Sequence, residues 1–383
     1  MQNQVKNERL YYLDWLRVFA VMLLIPFHTG MIFVRWNFHI KNKDTSTGLD
    51  VINAFIDNWH MPLFFLLAGA STWLALKKRT PAAYLKERFL RLLVPLVFGM
   101  LIIVPPQTFF ERVQKSGFTG NYFDFYAHLF NGFYPQGNLT WNHLWFLFYL
   151  FLISAAVLPI ILIWQSGKGA AFIKQACTWL AQGHRIFLLG IPLVVTQMTL
   201  KVAFPGPQNV VADWARILFM SFVFLYGAMF YIVPDFRDSI ERNLGVALVT
   251  GAVISTILIA MLIWDYKITF GYNLPNLLLL GTMALVTLCW LIVILGLAQR
   301  TLNFSNRFLE YANESVLPIY ILHQTIIISL GFYIVETDFS VITKYTIINL
   351  VSLVLIVVIY DTIVKRFRVS RFLFGMRPLP RKI

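Results

Sequence analysis

Long apolar runs alternate with short polar connections along nearly the whole chain. A helix of about 20 apolar residues, each adding about 1.5 Å, spans the ~30 Å hydrocarbon core of a bilayer. About ten runs approach this length, and each is expected to form a transmembrane helix. The predicted spans are residues 13–34, 57–76, 92–110, 143–164, 186–203, 214–232, 244–264, 274–298, 315–335 and 343–364. The pattern predicts an all-α, polytopic membrane helix bundle that forms a single domain over residues 1–383.

Composition and charge refine this prediction. Hydrophobic residues make up 58% of the chain and charged residues only 13%, which excludes a soluble globular domain. The net charge of +14 comes from Lys and Arg that concentrate in alternate connections, all on one side of the membrane. Because the number of predicted spans is even, both termini are expected on this same side. The positive-inside rule assigns this side to the cytoplasm, so no nucleic-acid partner is expected. The basic cytoplasmic tail at 365–383 is expected to contact anionic membrane lipids.

The first apolar run carries three ionisable side chains on one helix face. Asp14 and Arg17 are three residues apart and can pair at the membrane edge. His28 lies about 16 Å further along the helix axis than Arg17 and about 20° around it. Burying an ionisable group in a bilayer is costly, so His28 is a candidate functional residue. The alternative is that His28 only hydrogen-bonds to a neighbouring helix.

A second histidine, His323, is expected in the ninth span at a depth close to that of His28. The histidine pKa of about 6.5 allows this side chain to accept a proton at neutral pH. We therefore take His28 and His323 as the catalytic candidates. No carboxylate or thiol is predicted at their depth and no HExxH spacing occurs, so neither a metal nor a tightly bound cofactor is expected.

The connection between the second and third spans is strongly basic. Thr80 and Pro81 form a helix-start signal, so the segment is expected to continue as a helix into the third span. Arg88 and Arg91 would then lie three residues apart on one face, and paired guanidinium groups suit phosphate binding. The alternative is that they are ordinary positive-inside charges.

The predicted outer connection at 111–142 is dense in aromatic residues, glycine and asparagine. Aromatic rings can stack on sugar rings and amides can bond to hydroxyl groups, although an interfacial aromatic belt has the same composition. His60, Trp141 and His143 are expected towards this side. They are the candidate acceptor-side residues.

Several motifs occur in a fixed order along the chain: LDWLR followed by His28, MPLFFLLAG in the second span, RFLR before Pro95, HLWFLFYL in the fourth span and SVLPIYILH in the ninth. In this order they resemble the acyltransferase 3 membrane family, and within it the glucan biosynthesis protein C branch of glucan succinyltransferases. Many members of the family have Ser-Gly-Phe where this chain has Ala68, Gly69 and Ala70, and a Glu that the fourth-span motif lacks.

The resemblance implies a membrane enzyme that moves an acyl group from cytoplasmic acyl-CoA to a glycan hydroxyl. It implies a catalytic role for His28 and donor recognition by Arg88 and Arg91. We add Arg17 to the donor-binding residues, with Asp14 as its structural support. Acyl-CoA would then be a co-substrate, the glycan the acceptor, and membrane lipids the remaining partners.

The leading hypothesis is an O-acyltransferase of the bacterial inner membrane that transfers an acetyl or succinyl group. A second hypothesis is a glycan or lipid-linked sugar transporter in which His28 and His323 relay protons. A third is a non-catalytic membrane subunit that supports a glycan synthase. The sequence does not indicate the oligomeric state.

Overall fold

The computed structural model describes residues 9–206 and 210–378. Its regular structure is helical, and within these residues the only β-type pairing is an isolated bridge between Phe133 and Leu139. The α-helices are Tyr11–Met31, Thr47–Asp57, His60–Leu76, Pro81–Arg88, Val94–Phe98, Pro105–Ser116, Tyr122–Ala127, Trp145–Ala156, Leu158–Trp164, Gly167–Leu180, Gly190–Leu200, Trp214–Met229, Pro234–Arg242, Leu244–Ile263, Leu274–Thr301, Arg307–Ile334, Val341–Ile359 and Arg368–Leu373. The predicted all-α fold is confirmed.

The number of membrane spans is close to the prediction. Seven helical segments are long and apolar enough to cross a bilayer: Tyr11–Met31, Thr47–Leu76, Pro81–Ser116, Leu244–Ile263, Leu274–Thr301, Arg307–Ile334 and Val341–Val364. Two more are bent pairs, Asn142–Ala156 with Leu158–Trp164 at 45° and Trp214–Met229 with Pro234–Arg242 at 111°. The span predicted at 186–203 is only a shorter apolar segment, Arg185–Leu200. The described chain therefore supports up to nine spans, one fewer than predicted.

Two glycines allow a very close contact between helices His60–Leu76 and Trp214–Met229. A Cβ atom at Gly69 would lie 1.8 Å from the Phe224 carbonyl oxygen, and one at Gly227 would lie 1.8 Å from the Leu66 carbonyl oxygen. Without side chains at these two positions, the backbones can approach directly, as small residues permit in membrane bundles. The Ala-Gly-Ala sequence in the second predicted span is thus a helix-packing site.

The helical segment Pro81–Ser116 contains two π-helical turns, Phe89–Leu93 and Gly99–Ile103. Pro95 follows the first of them and has no amide hydrogen to donate to the Arg91 carbonyl. A wide turn is a common response to such a break in the hydrogen-bond ladder. As a result, Arg91 lies on an irregular turn, and its carbonyl lacks the usual amide donor four residues further along the helix.

The chain after the first helix folds back onto the bundle. Residues 32–34, the end of the first predicted span, and Ile40, in the connection after it, are completely buried, so this segment is part of the core. Lys41 holds it in place by donating from Nζ to the carbonyls of Met31, Val34 and Trp36. Burial lowers the pKa of Lys41 to about 8. The first helix therefore ends at Met31, three residues before the predicted limit, and His28 lies in its last turn.

Both ends of the described chain meet at the same end of the bundle. The charge of Arg17, in the first helix, acts on Arg91, and Arg91 Nε donates to the carbonyl of Gly375 in the C-terminal segment at 2.9 Å. That this end faces the cytoplasm stays a prediction of the positive-inside rule.

Candidate active site

The two catalytic candidates are in direct contact. His28 Nδ1 lies 3.2 Å from His323 Nε2, and the ring centroids are 4.9 Å apart. His28 is in the last turn of the first helix, after Pro26, while His323 is in the middle of helix Arg307–Ile334. The sequence placed these residues at one depth, and the structure brings them within hydrogen-bonding distance.

The backbone around the pair determines which nitrogens carry protons. His323 Nδ1 is 2.6 Å from the Tyr320 carbonyl, to which it must donate, so Nε2 of a neutral His323 is an acceptor. His28 Nδ1 is 3.1 Å from the Leu24 carbonyl and donates to both neighbours. The remaining lone pair of a neutral His28 is then on Nε2. This atom has no hydrogen-bond partner within the described chain, and the His28 side chain is partly exposed. His28 is thus arranged as an accessible base oriented by His323.

His143 packs against the other side of His323, with ring centroids 5.1 Å apart. Its Nε2 donates to the Ile321 carbonyl at 3.1 Å, and its Nδ1 lies 3.4 Å from the Gln107 amide nitrogen. Both nitrogens are therefore occupied, and the side chain is buried. His143 belongs to the histidine cluster and supports its packing, whereas the sequence placed it on the acceptor side only.

A buried amide network extends from His143. Gln107 is fully buried, donates to Thr325 Oγ1 at 2.6 Å and accepts from the amides of Gln324 and Asn142 at 3.0 Å each. Such groups are costly to bury unless they are bonded to one another. The network ties three helical segments together beside the histidines. Sequence reasoning did not single it out, although two glutamines within apolar helices were a visible signal.

The other two acceptor-side candidates are separate from the His28–His323 contact. His60 is buried, and its Nε2 lies 2.6 Å from the Ala20 carbonyl, so it links its helix to the first one. Trp141 is partly buried against Phe148, with ring centroids 5.7 Å apart. Neither side chain contacts His28 directly in the described structure.

At the opposite end of the first helix, Asp14 and Arg17 form the predicted ion pair at 2.8 Å. Asp14 also pairs with Arg9. Arg17 Nη2 donates to Ser71 Oγ at 2.8 Å, and its Nη1 lies 3.4 Å from Asn313 Oδ1. Asp14 thus orients Arg17 towards two polar side chains from other helices.

Arg88 and Arg91 lie at this same end but in different surroundings. Arg88 donates to the hydroxyls of Thr72 at 2.9 Å and Tyr84 at 3.1 Å, which position it without neutralising its charge. Arg91 bonds to the Gly375 carbonyl and lies 3.5 Å from a Glu87 carboxylate oxygen. The helix face that Arg88 and Arg91 were expected to share is therefore only partly open to a phosphate ligand, because the C-terminal segment occupies one side of Arg91.

The predicted lipid contact of the basic tail does not extend to Arg371. This side chain is 4% exposed and donates to Glu314 Oε1 at 2.8 Å and to the Arg377 carbonyl at 2.8 and 3.0 Å. Residues 379–383 of the predicted tail lie outside the described residues. In the described part of the tail, Arg371, Phe374 and Met376 are buried against the bundle, whereas Phe367, Val369 and Phe372 are exposed.

Beyond the histidine cluster from this end lies a histidine–carboxylate contact that the sequence did not indicate. His39 Nδ1 is 2.5 Å from Glu111 Oε2, and Tyr134 donates to Glu111 Oε1 at 3.0 Å. Phe38 separates this pair from His28, with a ring-centroid distance of 6.1 Å to His28. Burial and the Glu111 carboxylate raise the pKa of Tyr134 to about 12, which keeps its hydroxyl protonated as a donor.

The histidine cluster does not have the form of a metal centre. Across the described ranges, no group of three or more His, Cys, Asp or Glu side chains could hold a metal ion. Cys177 and Cys289 are both buried free thiols. The arrangement can abstract a proton at His28 Nε2, and it presents arginines at one end of the first helix. These two capabilities suit the transfer of a group from an anionic donor to a hydroxyl.

Comparisons with known proteins identify the family of the chain. A family described as an acyltransferase domain matches residues 10–361. Glucans biosynthesis protein C from Salmonella heidelberg, Salmonella typhi and Salmonella typhimurium is 24% identical over 390 residues, covering 98% of this chain and 97% of each relative. No solved structure matches the chain significantly. The match over most of its length shows that this multi-pass membrane protein belongs to the acyltransferase 3 family.

Proposed function

We propose that this acyltransferase moves an acetyl or succinyl group from cytoplasmic acyl-CoA to a hydroxyl of an extracytoplasmic glycan in the bacterial inner membrane. The observation that carries the proposal is the His28–His323 contact, which leaves His28 Nε2 as an accessible base. The full-length similarity to glucans biosynthesis proteins supports a glycan acceptor. Membership in an acyltransferase family favours transfer over the transport and scaffold hypotheses.

The first helix connects the two parts of the reaction. Arg17 and His28 lie eleven residues apart, a rise of about 16 Å, so a donor held at the arginine end can extend its thioester arm towards His28. Arg88 and Arg91 would hold phosphate groups of the donor, together with Arg17. The guanidinium geometry suits such contacts.

In the proposed transfer, His28 Nε2 takes the proton from the glycan hydroxyl as its oxygen attacks the thioester carbonyl. The carbon–sulfur bond breaks and an ester bond forms. His28 then returns the proton to the departing thiolate, so the products are free coenzyme A and the acylated glycan. His323 accepts the hydrogen bond from His28 Nδ1 throughout and thereby stabilises the transient imidazolium.

Mass spectrometry of envelope glycans tests the proposal. A deletion strain is complemented with wild type, with His28→Ala or with empty vector, at matched amounts of membrane protein. We expect glycan masses that correspond to an acetyl or succinyl ester only with wild type. Identical glycans in all three strains would refute the proposal, and the mass of the added group identifies the donor.

A further inference from the structure

The C-terminal segment Arg371–Arg377 is built into the arginine-rich end of the bundle. Arg371 is buried and fixes the backbone of Arg377 through two hydrogen bonds to its carbonyl. Glu314 holds the Arg371 guanidinium from the neighbouring helix. Because a buried charge must be paired and fully bonded, these contacts define one position for the segment.

Gly375 makes this docking possible. Its φ of 65° lies in the left-handed region that glycine adopts without strain. A Cβ atom there would lie 2.5 Å from the Arg91 carbonyl oxygen and 2.9 Å from Pro95 Cγ. The segment therefore packs directly against the carbonyl that Pro95 leaves without its helical partner, while the Gly375 carbonyl accepts from Arg91 Nε.

Positive charge accumulates around this contact. The guanidinium groups of Arg17, Arg79, Arg88 and Arg377 all act electrostatically on Arg91, and the effect of Arg377 is the largest of these. The nearby carboxylates are already used: Glu87 pairs with Arg79 and Arg91, and Asp14 pairs with Arg17.

Two of these arginines keep their charges unpaired. Arg88 bonds only to neutral hydroxyls, and the exposed Arg377 side chain has no hydrogen bond or ion pair within the described residues. Repulsion between like charges is costly unless an anion joins them. The combination fits a ligand that carries more than one phosphate.

We propose that the C-terminal segment forms one wall of the donor site and that the Arg377 side chain binds a phosphate of acyl-CoA. This inference rests on the proposed function, because it takes acyl-CoA as the donor. The fixed backbone at Arg377 and the glycine contact at Arg91 would place this charge beside Arg88. The C-terminal segment would then be a part of the active site that lies outside the family motifs of the first four predicted spans.

The test compares Arg377→Ala with wild type in nanodiscs, using transfer kinetics and calorimetric binding of free coenzyme A. We expect KM for acyl-CoA and Kd for coenzyme A to rise about tenfold or more, with kcat nearly unchanged. Arg377→Lys should recover part of the affinity because it retains the charge. The matched control is Arg368→Ala, which removes an exposed arginine three residues before this segment and should match wild type.

A membrane lipid headgroup offers the same phosphate chemistry, so the lipid composition of the nanodiscs is varied. If Arg377 binds a lipid phosphate, Arg377→Ala will change the melting temperature only in discs with phosphatidylglycerol and leave the Kd for coenzyme A unchanged. That result would overturn the inference. An unchanged Kd in every lipid would overturn it as well.

Gly375→Ala provides a second, independent variant. It should displace the segment and raise the Kd for coenzyme A by a similar factor while the bundle still melts cooperatively. Wild-type affinity in a folded Gly375→Ala protein would contradict the inference.

If wild type itself transfers no acyl group, the proposed function fails. If wild type is active and Arg377→Ala has the same KM for acyl-CoA, only the inference fails.

Discussion

The 3.2 Å contact between His28 Nδ1 and His323 Nε2 joins side chains that are 295 positions apart in the sequence. A histidine that served only to pack two helices could use either nitrogen. Here the Tyr320 carbonyl fixes the proton on His323 Nδ1, which in turn leaves the lone pair of His28 on Nε2. In the proposed mechanism this contact provides a base and its orienting partner, the arrangement that general-base catalysis requires.

Replacing His28 by alanine or glutamine should abolish most of the transfer activity. General-base catalysis contributes about 10² to 10⁴ in rate, so kcat should fall by at least about 10². The measurement is the initial rate of transfer by purified protein with saturating donor. His128→Ala, which removes an exposed histidine that lies outside the histidine cluster, is the matched control and should keep the wild-type rate. A His28→Ala enzyme with near-normal kcat would rule out the assigned role.

His323→Gln should lower activity indirectly, by disturbing the orientation of His28. In the proposed mechanism His323 holds the base in place and does not contact the substrate. Loss of the group that orients a metal-bound histidine typically costs about 10-fold to 100-fold, and we expect a decrease of similar size in kcat here, with KM for the donor unchanged. Steady-state kinetics at varied donor concentration separate the two constants. Equal changes in kcat and KM, or a loss of cooperative melting, would instead indicate a general structural role.

Arg88→Ala should weaken donor binding and leave folding intact. Arg88 is held by the hydroxyls of Thr72 and Tyr84, and its charge has no carboxylate partner among the contacts described. Hydrogen bonds to charged groups contribute about 1.5 to 3 kcal/mol, which corresponds to an increase of at least about tenfold in the Kd for coenzyme A. Lys174→Ala, at an exposed position in helix Gly167–Leu180, is the control. An unaltered Kd in Arg88→Ala would refute the assignment.

Gly69→Val should destabilise the fold without touching the histidine cluster. A Cβ atom at this position would lie 1.8 Å from the Phe224 carbonyl oxygen, so helices His60–Leu76 and Trp214–Met229 would have to separate. Overpacking typically costs about 1–3 kcal/mol, and a backbone clash of this kind should reach the upper part of that range or exceed it. Thermal melting in detergent measures the loss. Gly245→Ala, which faces open space, should melt like wild type; equal melting of both variants would show that the contact is not needed.

Much of the fold and part of the site could be predicted from the sequence. Apolar run length is a local property, so the predicted spans correspond to the observed helical segments except at 186–203, where the apolar helix is too short. The Asp14–Arg17 pair followed from helical spacing alone. The similar depth of His28 and His323 in the membrane could also be predicted, because distance along a helix axis depends only on residue number.

The remaining features depend on contacts between distant parts of the chain. The connection after the first predicted span looks like an exposed outer loop, but tertiary packing buries Ile40, Asn42 and Asp50 within it. The contact of His143 with His323 and that of Gly375 with Arg91 each join segments more than 150 residues apart. Hydropathy and spacing contain no information about such pairs, so the sequence indicated neither the packing of His143 against His323 nor the contact of the tail with Arg91.

The most direct test of the account is transfer across a membrane by the purified enzyme. Proteoliposomes of known orientation receive acetyl-CoA or succinyl-CoA on the side of Arg88 and a glucan on the opposite side, and mass spectrometry follows the glucan. We predict an ester on the glucan with wild type and none with His28→Ala. Esterification that proceeds equally with His28→Ala, or that occurs only when donor and glucan share one side, would contradict the account.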